Sequence, residues 1–266
     1  MPPSDFVVAC AAGVRDSAGR LRRWVAAGFG PSAAAPAAEL LERLGAPVFV
    51  ASSPEAAEAA GLVGPSVRGV LAAVTNEWET AFDRAGLPLG EILGAAGLWD
   101  EFPDLRPGAH SPPEPAALNW SLRRYNASCG VAERAEEVRA ATPARIIARV
   151  VDALNSVSKP VRGSRILVVG LTVGTGTMPS ESALEIIRAL QKKLAIVQYY
   201  DPHVPVLDRI EYGLGDATAS LSSGGEAVGT YDVVLILHNR PGCDWGVVTS
   251  RCGLVVEAQN VTFGTK

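Results

Sequence analysis

The chain has 266 residues, 48% of them hydrophobic and 20% charged, and a net charge of -4. That balance belongs to a globular chain and excludes a disordered one, and a slightly acidic chain presents no electrostatic footprint to nucleic acid. No uninterrupted apolar run reaches the roughly 20 residues of a membrane span, and Met1-Pro2-Pro3-Ser4-Asp5 places no basic segment ahead of an apolar one, so a cytoplasmic protein with no membrane or nucleic-acid partner is expected.

In chain order, apolar runs predict a strand over residues 6–11, a helix over 37–44 and a strand over 47–51, so that 1–52 reads as a small α/β fragment. So few strands are marginal alone, and the fragment must pack on the next segment or on a second subunit. Residues 53–160 read as helical. Ser53-Pro54-Glu55 opens them with a capping side chain before a proline at the first helical position. Gly64-Pro65-Ser66 predicts a break or kink, because proline lacks the ladder N–H and crowds the preceding turn. Val67, Val70, Leu71, Val74, Trp78, Ala81 and Phe82 then recur at three- and four-residue spacing, which predicts a buried stripe. Five prolines between 100 and 115 predict a loop, followed by helices over 116–125, 131–141 and 144–154.

Beyond the Pro160–Gly163 boundary, residues 161–266 alternate strand and helix, the pattern of a parallel sheet covered on both faces. Strands are predicted over 165–170, 195–200, 232–237 and 254–257, a helix over 182–194, and a Gly/Ser-rich loop over 222–229. Ligands of such doubly wound sheets bind beyond the carboxyl ends of the strands. Gly170, Asp201, His238 and Asn239 stand at those ends and are the candidate ligand-binding residues. Cys10, Cys129, Cys243 and Cys252 form no CxxC pair and have no histidines at ligand spacing, so reduced thiols are expected in place of a zinc site or a disulfide framework.

Several of these segments carry a family likeness. Ser53-Pro54-Glu55-Ala56-Ala57-Glu58, with Arg68 and Asn76-Glu77, is similar to the start of the central helical domain of the UDP-glucose/GDP-mannose (nucleotide-sugar) dehydrogenases. Val151-Asp152-Ala153-Leu154-Asn155, Lys159-Pro160, Gly163-Ser164-Arg165-Ile166-Leu167-Val168-Val169-Gly170-Leu171 and Tyr200-Asp201-Pro202-His203-Val204-Pro205 resemble the entry and turns of their Rossmann-like C-terminal domain, which holds UDP. Tyr231-Asp232-Val233-Val234 and Leu254-Val255-Val256-Glu257 with Asn260 complete the likeness. The resemblance implies an α/β chain in three parts: 1–52 as the remnant of an NAD-binding domain, 53–160 as a helical domain that forms a homodimer through its long helix, and 161–266 as a UDP-binding-like domain. His203 and Asp201 shape a turn in that pattern, while Arg68, Asn76 and Glu77 serve packing and the dimer contact.

The chemistry of the family is not implied to survive. Relatives hold NAD on a GxGxxG turn, and no such sequence occurs in this chain, so no cofactor is expected. Relatives also carry a cysteine nucleophile in GxGGHCxPxDPxxL, whose place is taken by Pro107-Gly108-Ala109-His110-Ser111-Pro112-Pro113-Glu114-Pro115-Ala116-Ala117-Leu118, with Ser111 at the cysteine. A hydroxyl is far less acidic than a thiol and a poor carrier of the thioester that a four-electron oxidation needs. The family's oxyanion lysine and asparagine read Gly61 and Pro65, and its first-domain acid falls among Ala11, Ala12 and Gly13. The YKPxTDDxRES loop has become Val173-Gly174-Thr175-Gly176-Thr177-Met178-Pro179-Ser180-Glu181-Ser182, and the arginine of the closing pair reads Gln259, so several cations facing a diphosphate are lost.

Two function classes remain open. One is a degenerate dehydrogenase relative that binds a small molecule or a protein partner. The other is a repurposed cofactor-free enzyme, a cyclase, isomerase or lyase, with His110, Ser111 and Glu114 as its catalytic candidates and His238 beside them. Trp78 and Trp245 are expected in the core.

Overall fold

The computed structural model describes residues 9–15, 20–29, 33–98, 102, 114–172, 177–215, 220–221, 228–238, 240, 243 and 245–258. Its contacts divide the chain into two compact units, Met1–Arg139 and Ala140–Lys266.

The first unit opens with three strands, β1 (Ala9–Arg15), β2 (Leu21–Gly28) and β3 (Val48–Val50), in the order β1-β2-β3, antiparallel and then parallel. Helix α1 (Ala34–Glu42) connects β2 to β3. Strand β2 is not among the strands the sequence predicts. Its buried centre, Val25-Ala26-Ala27, is covered on both faces and so shows no period of two to read. Helix α2 (Pro54–Ala85) lies along β1 and β2, and the small cluster of Val25, Ala27 and Ala57 with Cys10, Val14, Ala51 and Ala60 forms where they meet. The α/β fragment thus finds in α2 the cover it needs.

Ser53 caps α2 as expected, its hydroxyl accepting from the Ala56 N–H at 3.2 Å. The expected break does not occur: α2 runs unbroken through Pro65 to a left-handed Gly86 cap. The carbonyl that the ring crowds is that of Gly61, which has no side chain, and the Ser66 hydroxyl donates to Leu62 O at 2.8 Å beside it. The expected stripe is also displaced. The buried positions of α2 are Ala57, Ser66, Gly69, Ala73 and Glu79, while Val67 is 54% and Trp78 40% exposed. Small residues let the helix approach its neighbours closely, while Val70, Leu71, Val74 and Phe82 are half-buried and Val67 and Trp78 face outward. By length and mean hydropathy α2 could also cross a membrane. It packs against β1, β2 and a later helix.

Helix α3 (Leu89–Ala95) follows, and then α4 (Glu114–Arg123), which packs on α2. Helix α5 (Gly130–Ser156) merges the two helices expected over 131–141 and 144–154 into one that passes Pro143. An Arg134–Glu77 pair at 3.4 Å links α5 to α2.

In the second unit β4 (Arg165–Val169), β5 (Ile196–Tyr200), β6 (Val233–Ile236) and β7 (Val255–Glu257) form an all-parallel sheet in the order β5-β4-β6-β7. Helix α6 (Glu181–Lys192) makes the β4–β5 crossover and α8 (Trp245–Arg251) the β6–β7 crossover, with the short α7 (Arg209–Tyr212) between β5 and β6. One face of the sheet is covered by Leu184, Ile187 and Leu190 of α6 with Ile146, Val150 and Leu154 of α5. Trp245, Val248 and Cys252 cover the other, so Trp245 belongs to the core. Since β5 and β6 flank β4 on opposite sides, the chain direction reverses between β4 and β6. A crevice is expected outside the carboxyl ends there.

Candidate functional site at the carboxyl edge of the parallel sheet

Strand β4 ends in Gly170 at φ +81°, a backbone conformation that L side chains rarely adopt. A Cβ at Gly170 would stand 2.8 Å from the Cβ of His238, so glycine also lets the ends of β4 and β6 close on each other. The amides of Leu237 and His238 both donate to Val169 O, at 2.9 and 3.3 Å. His238 is buried to 8% exposure at this edge, and Gly170 N–H donates to Tyr200 O of β5 at 2.9 Å. Three strand ends are thereby tied together.

Asp201, fully buried after β5, holds the centre. Its Oδ2 accepts from Leu171 N (2.8 Å), Thr172 N (2.9 Å), Thr172 Oγ1 (3.1 Å) and Arg240 Nε (2.9 Å). Its Oδ1 accepts from His203 N at 2.9 Å, and the His203 Nδ1 lies 3.5 Å away. Arg240, 4% exposed, extends Nη2 to Thr172 Oγ1 at 2.6 Å and to the Thr172 carbonyl. Burial pushes the Asp201 carboxyl up, but the Thr172 and His203 amides and the Arg240 guanidinium outweigh it and hold the group below the usual carboxylate range. Cys243, whose N–H donates to Arg240 O, has its thiol pushed up to about 11 by burial, against the pull of Arg240.

Of the candidate ligand-binding residues, Gly170, Asp201 and His238 therefore converge at one edge. Asp201 was expected to meet a ligand, yet it is enclosed and bonded to its own protein. His110, Ser111 and Asn239 lie outside the described residues, as do Gln259 and Asn260; Glu114 begins α4 and its side chain is not described. Thr172 and Arg240 are absent from the sequence-based candidates. A lone cation in the sequence Asn239-Arg240-Pro241-Gly242, soon after a wholly apolar strand, was the available signal. Among the described residues no group of three or more His, Cys, Asp or Glu side chains gathers to hold a metal.

A second feature lies in the first unit. Val63, Val67 and Val70 of α2, Leu118 of α4, and Cys129 and Val131 line an open apolar groove of about 380 Å³.

No family model matches the chain. Among curated proteins it is 26% identical over 193 residues to UDP-N-acetyl-D-glucosamine 6-dehydrogenase of Pseudomonas aeruginosa, a match covering 70% of this chain and 44% of that protein. The chain is thus similar in sequence to a nucleotide-sugar dehydrogenase. Solved structures agree on the fold. A UDP-glucose dehydrogenase from Pyrobaculum islandicum superposes with a TM-score of 0.75 at 18% identity, covering 96% of this chain and 61% of that one. A UDP-D-ManNAc dehydrogenase from Pyrococcus horikoshii gives 0.71 at 19% identity, covering 98% and 62%. This nucleotide-sugar dehydrogenase relative thus spans under half of the curated protein and about three-fifths of the two structures.

Proposed function

We propose that this nucleotide-sugar dehydrogenase relative does not carry out NAD-dependent oxidation and works as a small-molecule or partner-binding protein. The observation that carries the proposal is the packing at Gly61. The resemblance puts the oxyanion lysine of relatives at this position of α2, and here a Cβ would already stand 3.1 Å from the Cβ of Ala12 on β1. A side chain at this position would have to press on Ala12 or lift the helix off its sheet by a few tenths of an ångström, a contact that glycine avoids. Ser111 in place of the nucleophilic cysteine and Pro65 in place of the asparagine point the same way.

The ligand site on this proposal is the carboxyl edge built by Gly170 and His238, with Asn239 beside them in sequence. The same proposal has the chain self-associate through α2, whose outward Val63, Val67 and Trp78 are 49%, 54% and 40% exposed. A cytoplasmic setting accords with four free thiols. Calorimetric titration of the purified protein tests the proposal: NAD is expected to give no saturable heat. Tight NAD binding together with tight binding of a UDP-sugar would overturn it.

A further inference from the structure

The turn after β4 is the place where a nucleotide-binding α/β unit offers backbone N–H groups to a phosphate, helped by the N-terminus of the helix that follows. Here the described donors of that turn, at Leu171 and Thr172, are already committed. Leu171 N, Thr172 N, Thr172 Oγ1 and Arg240 Nε converge on one oxygen, Asp201 Oδ2, at 2.8 to 3.1 Å. Two amides, a hydroxyl and a guanidinium around a single anionic oxygen make the donor set of an oxyanion site, and the oxyanion comes from the chain itself. The N-terminus of α6 has a side-chain cap of its own. Ser180 Oγ accepts from Ala183 N at 3.2 Å, and Glu181 brings a negative charge into the first turn of α6.

We propose that Asp201 is a built-in anion filling the seat that Leu171, Thr172 and Arg240 would offer a phosphate, so that a ligand at this edge does not bind through a phosphate on those donors. The proposal rests on the carboxyl edge being the ligand site. Charge supports it: the Asp201–Arg240 pair is neutral as a unit, both members are at least nine-tenths buried, and the arginine that could meet a phosphate is held by the carboxylate. A phosphate entering the turn would have to displace a carboxylate already bonded to four donors.

The test empties the seat and offers it a substitute. Asp201→Ala leaves the four donors around a cavity the size of a carboxylate, with formate as the probe. Formate is expected to raise the melting temperature of the variant saturably and to leave the wild type unchanged. A folded Asp201→Ala protein indifferent to formate overturns the proposal. Should that variant fail to fold, the wild type decides: inorganic phosphate is expected to leave the amide resonances of Leu171 and Thr172 in place, and a saturable shift of both would show the seat open. Neither probe resembles an organic ligand, so failure here is separable from failure of the ligand site itself.

Discussion

Gly170 and Asp201 show how much of the edge rests on single residues. Gly170→Ala combines an unfavourable left-handed φ with a collision against His238, and about 3 kcal/mol of destabilisation is expected in urea unfolding. Asp201 ties its stability to pH. Its native carboxyl ionises below the ordinary range, so its contribution is complete at neutral pH and is lost as the pH falls below about 4, towards its native value. Asp201→Asn is expected to flatten the acid limb of a plot of unfolding free energy against pH. An unchanged acid limb would remove Asp201 from this role. The sequence pointed to Asp201 through the Tyr-Asp-Pro-His turn and to Gly170 through its place at the end of an apolar strand. It could not show that the carboxylate faces inward, because its partners at 171, 172 and 240 lie 29 to 39 residues away along the chain.

At the scale of elements, the parallel sheet was legible because its central strands β4 and β6 carry the apolar runs 166–169 and 233–236 and its crossover helix α6 has a clean amphipathic period. Helix α2 was harder. Its size pattern pointed the large residues inward, whereas close packing selected the small ones, and its proline marked a break that the surrounding glycines avoid. Pro65→Ala restores a donor for Gly61 O in a helix that is already continuous. A gain of about 2 kcal/mol in chemical denaturation is expected, the interior-proline cost less the backbone freedom returned to the unfolded chain. A loss of stability would show that the ring itself is packed.

For the molecule as a whole, two features invite a test beyond the single residue or element: the exposed Val63, Val67 and Trp78 of α2, and the carboxyl edge at which Asp201 is enclosed. If self-association buries those α2 side chains, Val67→Glu in the groove wall places an unpaired carboxylate in an apolar contact and shifts light-scattering mass toward the monomer, while the wild type runs as a dimer. A wild-type monomer would instead assign them to another partner. The segment around His110 and Ser111 was readable only through its likeness to a family pattern, since a proline-rich stretch has no period from which its contacts could be derived.

The most direct measurement is nicotinamide reduction by the purified protein supplied with NAD and a panel of UDP- and GDP-sugars, followed by absorbance. No NADH above the enzyme-free rate is expected with any of them. Sugar-dependent turnover that Ser111→Ala abolishes would contradict the proposal that oxidation has been lost.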